Sequence, residues 1–251
     1  MTQNSTQNTA SLSEIFSSRQ GEGPHIGKRM TFVRFGHCAL RCQWCDSPKS
    51  LEHVPFFRLE TFPGSESFKE YPNPISSSAL NEMLQNFDDE FISVTGGEPL
   101  EQASFLSSWL PTVKEKTILL ETSGVLTKKL AQVLDHVHIV SMDFKLPSST
   151  GMKAYWAEHK SFLQLAHEKQ KEVYVKLVVT ENTSDRDIAD AIHIVTDINK
   201  RIPFIVQPVS ATDTLNISIT PERLNSIERI CKAYLPNVHT IPQMHKVWGV
   251  L

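Results

Sequence analysis

Short runs rich in β-branched residues alternate along this chain with longer stretches whose apolar residues recur every three or four positions. The first pattern predicts strands and the second amphipathic helices. Strands are expected over 30–35, 91–95, 117–120, 137–142, 173–179 and 202–206, and helices over 78–86, 102–110, 128–134, 154–169 and 184–199. Such alternation implies βαβ units, a parallel sheet and right-handed crossovers. Six strands are too few for a closed eight-stranded barrel, so the expected fold class is α/β, a partial, open (β/α)6 barrel. Leu224, Ile227, Cys231 and Tyr234 mark one more helix, and 238–241 suits a last strand.

Two stretches break the alternation. Residues 1–10 carry neither a basic nor an apolar region, which predicts a disordered tail over 1–12 and one catalytic domain over 13–251. Residues 51–74 hold aromatic residues and prolines at 55, 63, 72 and 74 without a clean period. That stretch is expected to be an insertion or loop capping one end of the sheet.

Composition narrows the partners. A chain of 251 residues with 40% apolar content can bury a large core. Its formal charge of −3 gives no global electrostatic reason to bind nucleic acid or an anionic membrane. No apolar run reaches membrane-spanning length. Of four cysteines, three are clustered, which suits metal binding in a reducing compartment and not a disulfide framework. A soluble cytoplasmic protein is expected.

The clustered cysteines, Cys38, Cys42 and Cys45, follow the first strand with spacing Cys-x3-Cys-x2-Cys. Structural zinc sites and ordinary iron–sulfur clusters take four protein ligands. A cubane held by only three thiolates keeps one iron open to a ligand, where it can act as a Lewis acid. The competing arrangement is a zinc knuckle closed by His37, His53 or Cys231. Cys231 has a simpler place as a small hydrophobe on the core stripe of its helix. Thr95-Gly96-Gly97-Glu98-Pro99 ends the second strand, and its glycines permit close backbone approach to a ligand. A tight strand-to-helix turn would need the same residues.

The cysteine loop and the glycine turn together resemble the radical S-adenosylmethionine (SAM) superfamily, with Trp44 in the aromatic position of Cys-x3-Cys-x-aromatic-Cys. That resemblance implies a [4Fe–4S] cluster on Cys38, Cys42 and Cys45. It implies SAM chelated to the open iron and split to a 5′-deoxyadenosyl radical, so that the cofactor carries the hard chemistry. Trp44 would neighbour the adenine, and Gly96, Gly97 and Glu98 would meet the methionine amino group. Ser123, Ser141, Asp143, Lys145 and Gln207 end successive strands, where ligands of parallel sheets gather. They are expected to contact the cofactor.

Gln20-Gly21-Glu22-Gly23-Pro24, Arg34, Cys45-Asp46-Ser47 and Gln243-Met244-His245-Lys246 narrow the likeness. From about Glu14 to the C-terminus, leaving out 51–74, the chain resembles the 7-carboxy-7-deazaguanine synthases of 7-deazapurine (queuosine) biosynthesis. The resemblance implies ring contraction of 6-carboxy-5,6,7,8-tetrahydropterin to 7-carboxy-7-deazaguanine with release of ammonia. Gln20, Gly21, Glu22, Thr95 and His245 would bind the pterin. Ser47, where threonine is commoner, would ligate Mg2+. A buried guanidinium at Arg34 needs an anion, which the substrate carboxylate would supply bidentately; a protein carboxylate could do so instead. The resemblance also implies a one-electron donor such as flavodoxin and a homodimer. A glycyl-radical-enzyme activase would share the cysteine loop, and a non-enzymatic zinc module would share the thiols.

Overall fold

The computed structural model describes residues 8–210 and 217–251. Among the described residues twelve strands run in chain order: β1 (Thr9–Ala10), β2 (Leu12–Arg19), β3 (Arg29–Phe35), β4 (Phe56–Glu60), β5 (Phe68–Pro72), β6 (Ile75–Ser76), β7 (Phe91–Gly96), β8 (Thr117–Thr122), β9 (Ile139–Asp143), β10 (Glu172–Val179), β11 (Phe204–Pro208) and β12 (Val238–Thr240). The helices are α1 (Ser77–Leu84), α2 (Ala103–Trp109), α3 (Thr127–Val133), α4 (Pro147–Thr150), α5 (Trp156–Glu168), α6 (Asp185–Asn199), α7 (Pro221–Tyr234) and α8 (Met244–Trp248). Side-chain caps start the two longest, α6 and α7. Ser184 accepts from the Asp187 N–H at 3.1 Å before α6, and Thr220 from the Arg223 N–H at 3.2 Å before α7.

One ten-stranded sheet has the order β12-β11-β10-β9-β8-β7-β3-β2-β4-β5. From β3 to β12 every neighbouring pair is parallel and follows chain order. Sequential parallel winding is the pattern of a (β/α) barrel, and here β5 and β12 remain as open edges. All six expected strands and all five expected helices form, with no bound moved by more than two residues.

The period of two along each strand separates a core from a site. Val33, Val94, Leu120, Val140, Val175 and Val206 point into one large apolar core shared with the helices. The alternate residues on the other face form two tiers. The lower tier is Phe32, Phe91, Leu119, Ile139, Tyr174 and Ile205, a second apolar cluster. Two residues further along the same strands stand Arg34, Glu121, Ser141, Lys176 and Gln207, which line a cavity. The sheet thus closes the cavity floor with apolar rings and presents polar groups above them.

Two expectations are corrected. The tail does not extend to residue 12. Thr9 and Ala10 pair antiparallel with β6, and Leu12 and Ile15 are fully buried in β2; residues 1–7 lie outside the described residues. β2 gave no strand signal because its register slips between Leu12 and Glu14, which spoils the alternation of Leu12, Ile15 and Phe16. Residues 51–74 are not a capping loop but contain the β4–β5 hairpin, which extends the sheet edge beside β2. Pro72 can sit there because an edge strand needs no inward N–H at that position. Asn73 then takes up β2's free peptide groups, accepting from the Leu12 N–H at 3.0 Å and donating to its carbonyl at 2.8 Å.

Candidate active site

The loop after β3 carries the thiols. His37 adopts φ 76°, turning the chain so that its carbonyl accepts from the Glu98 N–H at 3.0 Å. Glu101 clamps the loop from the far side: it pairs with the His37 ring and accepts from the Ala39 N–H at 2.6 Å. The His37 ring also stacks on His53 at 4.6 Å. The His37 ring is thus committed to Glu101, and Cys231 is buried in the core on α7. These placements take His37 and Cys231 away from the zinc-knuckle arrangement.

Cys38, Cys42 and Cys45 are all free and line a single cavity of about 840 Å3. Burial pushes the Cys38 thiol up to about 12 and raises Cys42 and Cys45 as well. Lys145 opposes all three shifts, so a cation already faces the position where thiolates would form. Among the described residues, no three His, Cys, Asp or Glu groups are close enough to cage one ion. The three thiols stand instead around a space shared with the polar strand ends.

The glycine turn is shaped by contact. A Cβ on Gly97 would lie 2.2 Å from the His37 carbonyl oxygen and 2.5 Å from that of Ser50. One on Gly96, at φ 132°, would lie 2.1 Å from the Phe35 carbonyl oxygen. Only glycine lets this turn lie against the cysteine loop. Glu98 departs from expectation. Its carboxylate does not line the cavity but is buried, accepting from the Thr122 hydroxyl and Ser123 N–H, each at 2.8 Å, and from the Leu100 N–H at 3.1 Å. Glu98 is a brace between two strand ends and not a ligand contact.

Every other residue expected in the site lines the cavity. Trp44 donates to the Ser149 hydroxyl at 2.8 Å, and the Lys145 ammonium lies 4.8 Å from its ring centre. Lys145 reaches Asp143 at 3.0 Å. Two buried acceptors, Asp143 Oδ1 and Gln207 Oε1, have no hydrogen-bond partner. Both line the cavity, which suits a ligand bearing hydroxyl or ammonium donors. Three thiols, a glycine cradle and unpaired acceptors in one cavity fit a cluster with a chelated sulfonium.

The opposite wall is the loop between β2 and β3. Gln20 donates to Glu121 at 3.0 Å and accepts from the Glu22 N–H at 3.0 Å. Glu121 also accepts from Ser93 at 2.8 Å and Thr95 at 3.2 Å. Glu22 pairs with Lys176 and accepts from Gln207 at 3.0 Å and Gln243 at 2.8 Å. Burial works to raise the Glu22 carboxyl, but the Lys176 charge and these hydrogen bonds bring it down to about 2. The C-terminal segment covers this wall: the Met244 N–H donates to the Gly21 carbonyl at 2.9 Å, and Ser18 donates to the Leu251 carbonyl at 2.8 Å. His245 lies against Gly21, where a Cβ would be 2.4 Å from Nδ1.

Arg34 is also corrected. Its guanidinium already has an anion, since Nε donates to Glu14 at 2.9 Å and Arg58 pairs with the other oxygen. Its Nη1 donates to the Ser47 hydroxyl at 3.5 Å, and the residue lines the cavity. Ser47 donates to Asp46 at 3.2 Å, and Asp46 accepts from Gln243 at 2.7 Å. Glu14, Asp46, Glu121, Lys176 and Gln243 are wall residues that the sequence reading did not select. Lys176 could have been found, as a lysine inside Val-Tyr-Val-Lys-Leu-Val-Val needs a buried partner.

Comparison with known proteins decides the family. Residues 32–195 match the family model for the Radical SAM superfamily. A 7-carboxy-7-deazaguanine synthase of Geobacter sulfurreducens is 38% identical over 250 residues, covering 96% of this chain and 98% of that protein. The chain belongs to the 7-carboxy-7-deazaguanine synthase family of radical SAM enzymes. A synthase of the same name from Methanocaldococcus jannaschii is 31% identical, covering 96% of this chain and all of its own 100%. QueE from Escherichia coli superposes with TM-score 0.59 at 17% identity, covering 96% of this chain and 98% of that one. A radical SAM methyltransferase from Sphaerobacter thermophilus gives 0.57 at 13% identity, over 92% of this chain and 77% of its own. At those identities the likeness is one of fold. Membership in the family brings a [4Fe–4S] cluster and SAM as cofactors.

Proposed function

We propose that this radical SAM enzyme converts 6-carboxy-5,6,7,8-tetrahydropterin to 7-carboxy-7-deazaguanine with release of ammonia, in 7-deazapurine biosynthesis. The observation that carries the reading is full-length similarity to synthases of that name, 38% and 31% identical to this chain. The cavity supports it, with three thiols on one wall and the Gln20–Glu22 loop under His245 on the other. When bound, the cluster and SAM supply one-electron chemistry that abstracts a hydrogen from the substrate.

The chain's own residues divide the remaining work. Cys38, Cys42 and Cys45 hold the cluster. Gly96 and Gly97 let the backbone approach the methionine end, while Trp44, Ser123, Ser141, Asp143, Lys145 and Gln207 receive the rest of the cofactor. Asp143 Oδ1 and Gln207 Oε1 offer it their free acceptors. Gln20, Gly21, Glu22, Thr95 and His245 bind the pterin, and the free edge of Arg34 meets its carboxylate. Ser47, with Asp46 3.2 Å away, binds Mg2+ beside that carboxylate; a hard cation of this kind keeps waters and substrate oxygens as its other ligands. The α8 segment shields the substrate from bulk water. Flavodoxin as electron donor, a homodimer and a cytoplasmic location belong to the same proposal. Among the described residues no helix is long and apolar enough to cross a membrane.

An activase would act on a protein and would have no use for Gln20, Glu22 and His245 in the cavity wall. Anaerobic incubation of reconstituted protein with the carboxytetrahydropterin, SAM and a strong reductant is the test. The expected product is the deazapurine acid, detected by mass. Brown protein that cleaves SAM yet never yields that product would overturn the substrate assignment.

A further inference from the structure

Lys176 projects from the middle of β10 into the cavity wall, where few lysines could be tolerated. Its ammonium contacts Glu22 of the substrate-side loop and lies 3.5 Å from Asp143 Oδ2. The same Asp143 oxygen receives Lys145 at 3.0 Å, and Lys145 sits over Trp44 of the cysteine loop. Four alternating charges, Glu22, Lys176, Asp143 and Lys145, thus run in one line across the cavity. All four are largely shielded from water, which strengthens each link and makes an unpaired member costly. Of the two carboxylates in the line, Glu22 lies on the pterin side and Asp143, whose Oδ1 is unpartnered, on the cofactor side.

We propose that Lys176 is a positioning residue that seats Glu22 against the pterin and Asp143 against the cofactor at the same time. The proposal rests on the functional reading above and adds a residue that reading does not use. Lys176 acts through the two carboxylates it pairs with. It also governs a charge. Glu22 is faced by Lys176 and Tyr174 on β10, Asp46 in the cysteine loop and His245 on α8, with Asp143 on β9 and Glu121 on β8 acting on Lys176 from beyond it. Of these, Lys176 opposes the burial of Glu22 most strongly. With Lys176 removed, the burial of Glu22 loses its strongest counterweight and the carboxyl rises from its depressed value. A protonated Glu22 loses one acceptor for a ring N–H, so pterin affinity acquires a dependence on pH.

The test is equilibrium binding of the carboxytetrahydropterin and of SAM to cluster-reconstituted protein, anaerobic and without reductant, so that no turnover occurs. Wild-type protein should bind the pterin with a flat profile from pH 8 to 6. Lys176→Met should bind it about tenfold more weakly at pH 8, the loss expected for one charged hydrogen-bonding partner. Its affinity should fall by up to about tenfold more for each pH unit below the new Glu22 midpoint, and SAM affinity should drop several-fold. Lys176→Arg keeps the charge and should keep the flat profile. In Glu22→Gln/Lys176→Met the added pH slope should vanish; a slope that persists assigns it to His245 and overturns the proposal. Wild-type affinity for both ligands in Lys176→Met overturns it too. If Lys176→Met holds no iron, Lys176→Gln carries the same comparison. Should wild-type protein fail to bind the pterin at all, the functional reading falls first, which keeps the two failures distinct.

Discussion

At the scale of single residues, the site depends on contacts too close for substitution. Gly21 is one, because His245 occupies the space of its missing Cβ. Gly21→Ala should push the C-terminal segment off the loop, costing about 1–3 kcal/mol of stability as overpacking does. Pterin affinity should fall while SAM affinity holds, and calorimetric titration with each ligand checks this. Glu98 is another. Glu98→Ala leaves buried N–H and hydroxyl donors of Leu100, Thr122 and Ser123 unmatched, at about 1–3 kcal/mol for each donor left without a partner. Chemical denaturation should register that loss, and Glu98→Gln should recover part of it. Glu22 sets an acid limit. Its carboxyl lies at about 2 in the fold against 4.5 outside it, so the stability it contributes is fully present above 4.5 and is lost as pH falls toward 2. Melting temperature followed down through that window should decline, and Glu22→Gln should lessen the decline.

At the scale of elements, the β4–β5 hairpin does more than occupy sequence. It covers the edge of β2, and Arg58 on β4 pairs with the same Glu14 that holds Arg34. Replacing 56–72 by a short linker should expose β2 as an unpaired edge, which invites strand-to-strand association. Sedimentation should then show self-association, while iron content after reconstitution should stay near wild type because the three thiols, and the Leu51 carbonyl that receives the Cys38 N–H, lie outside the replaced stretch. The α8 segment works similarly at the other rim, since Gln243 bridges Glu22 and Asp46. Substrate loop, cysteine loop and C-terminus are thereby one hydrogen-bonded unit.

For the whole molecule, the sheet separates stability from chemistry. The large core lies between the sheet and its helices, and the thiols line the cavity on the other face. Stripping iron with a chelator and oxidant should abolish the brown colour and deoxyadenosine formation. Far-ultraviolet circular dichroism should be nearly unchanged, with cooperative melting retained. Collapse of the sheet signal on iron loss would show that the core needs the cluster.

The sequence by itself determined the parallel strands, their helices and the three-thiol loop, because these follow from local periodicity and from spacing along the chain, and its motifs carried the resemblance to the family. It also marked Gln20, Glu22, Arg34 and His245 as site residues, although they lie far apart in the chain. Only the tertiary structure decided what those polar groups face. Arg34 turned to Glu14 and Glu98 to the strand ends, since a buried charge takes whichever partner the fold brings within reach. β2 and the β4–β5 hairpin were illegible for a related reason: a register slip and edge prolines erase the alternation on which strand reading depends. Lys176 joins the two because its chemistry was visible in the strand, whereas its partners, 154 residues away at Glu22 and one strand over at Asp143, existed only after folding.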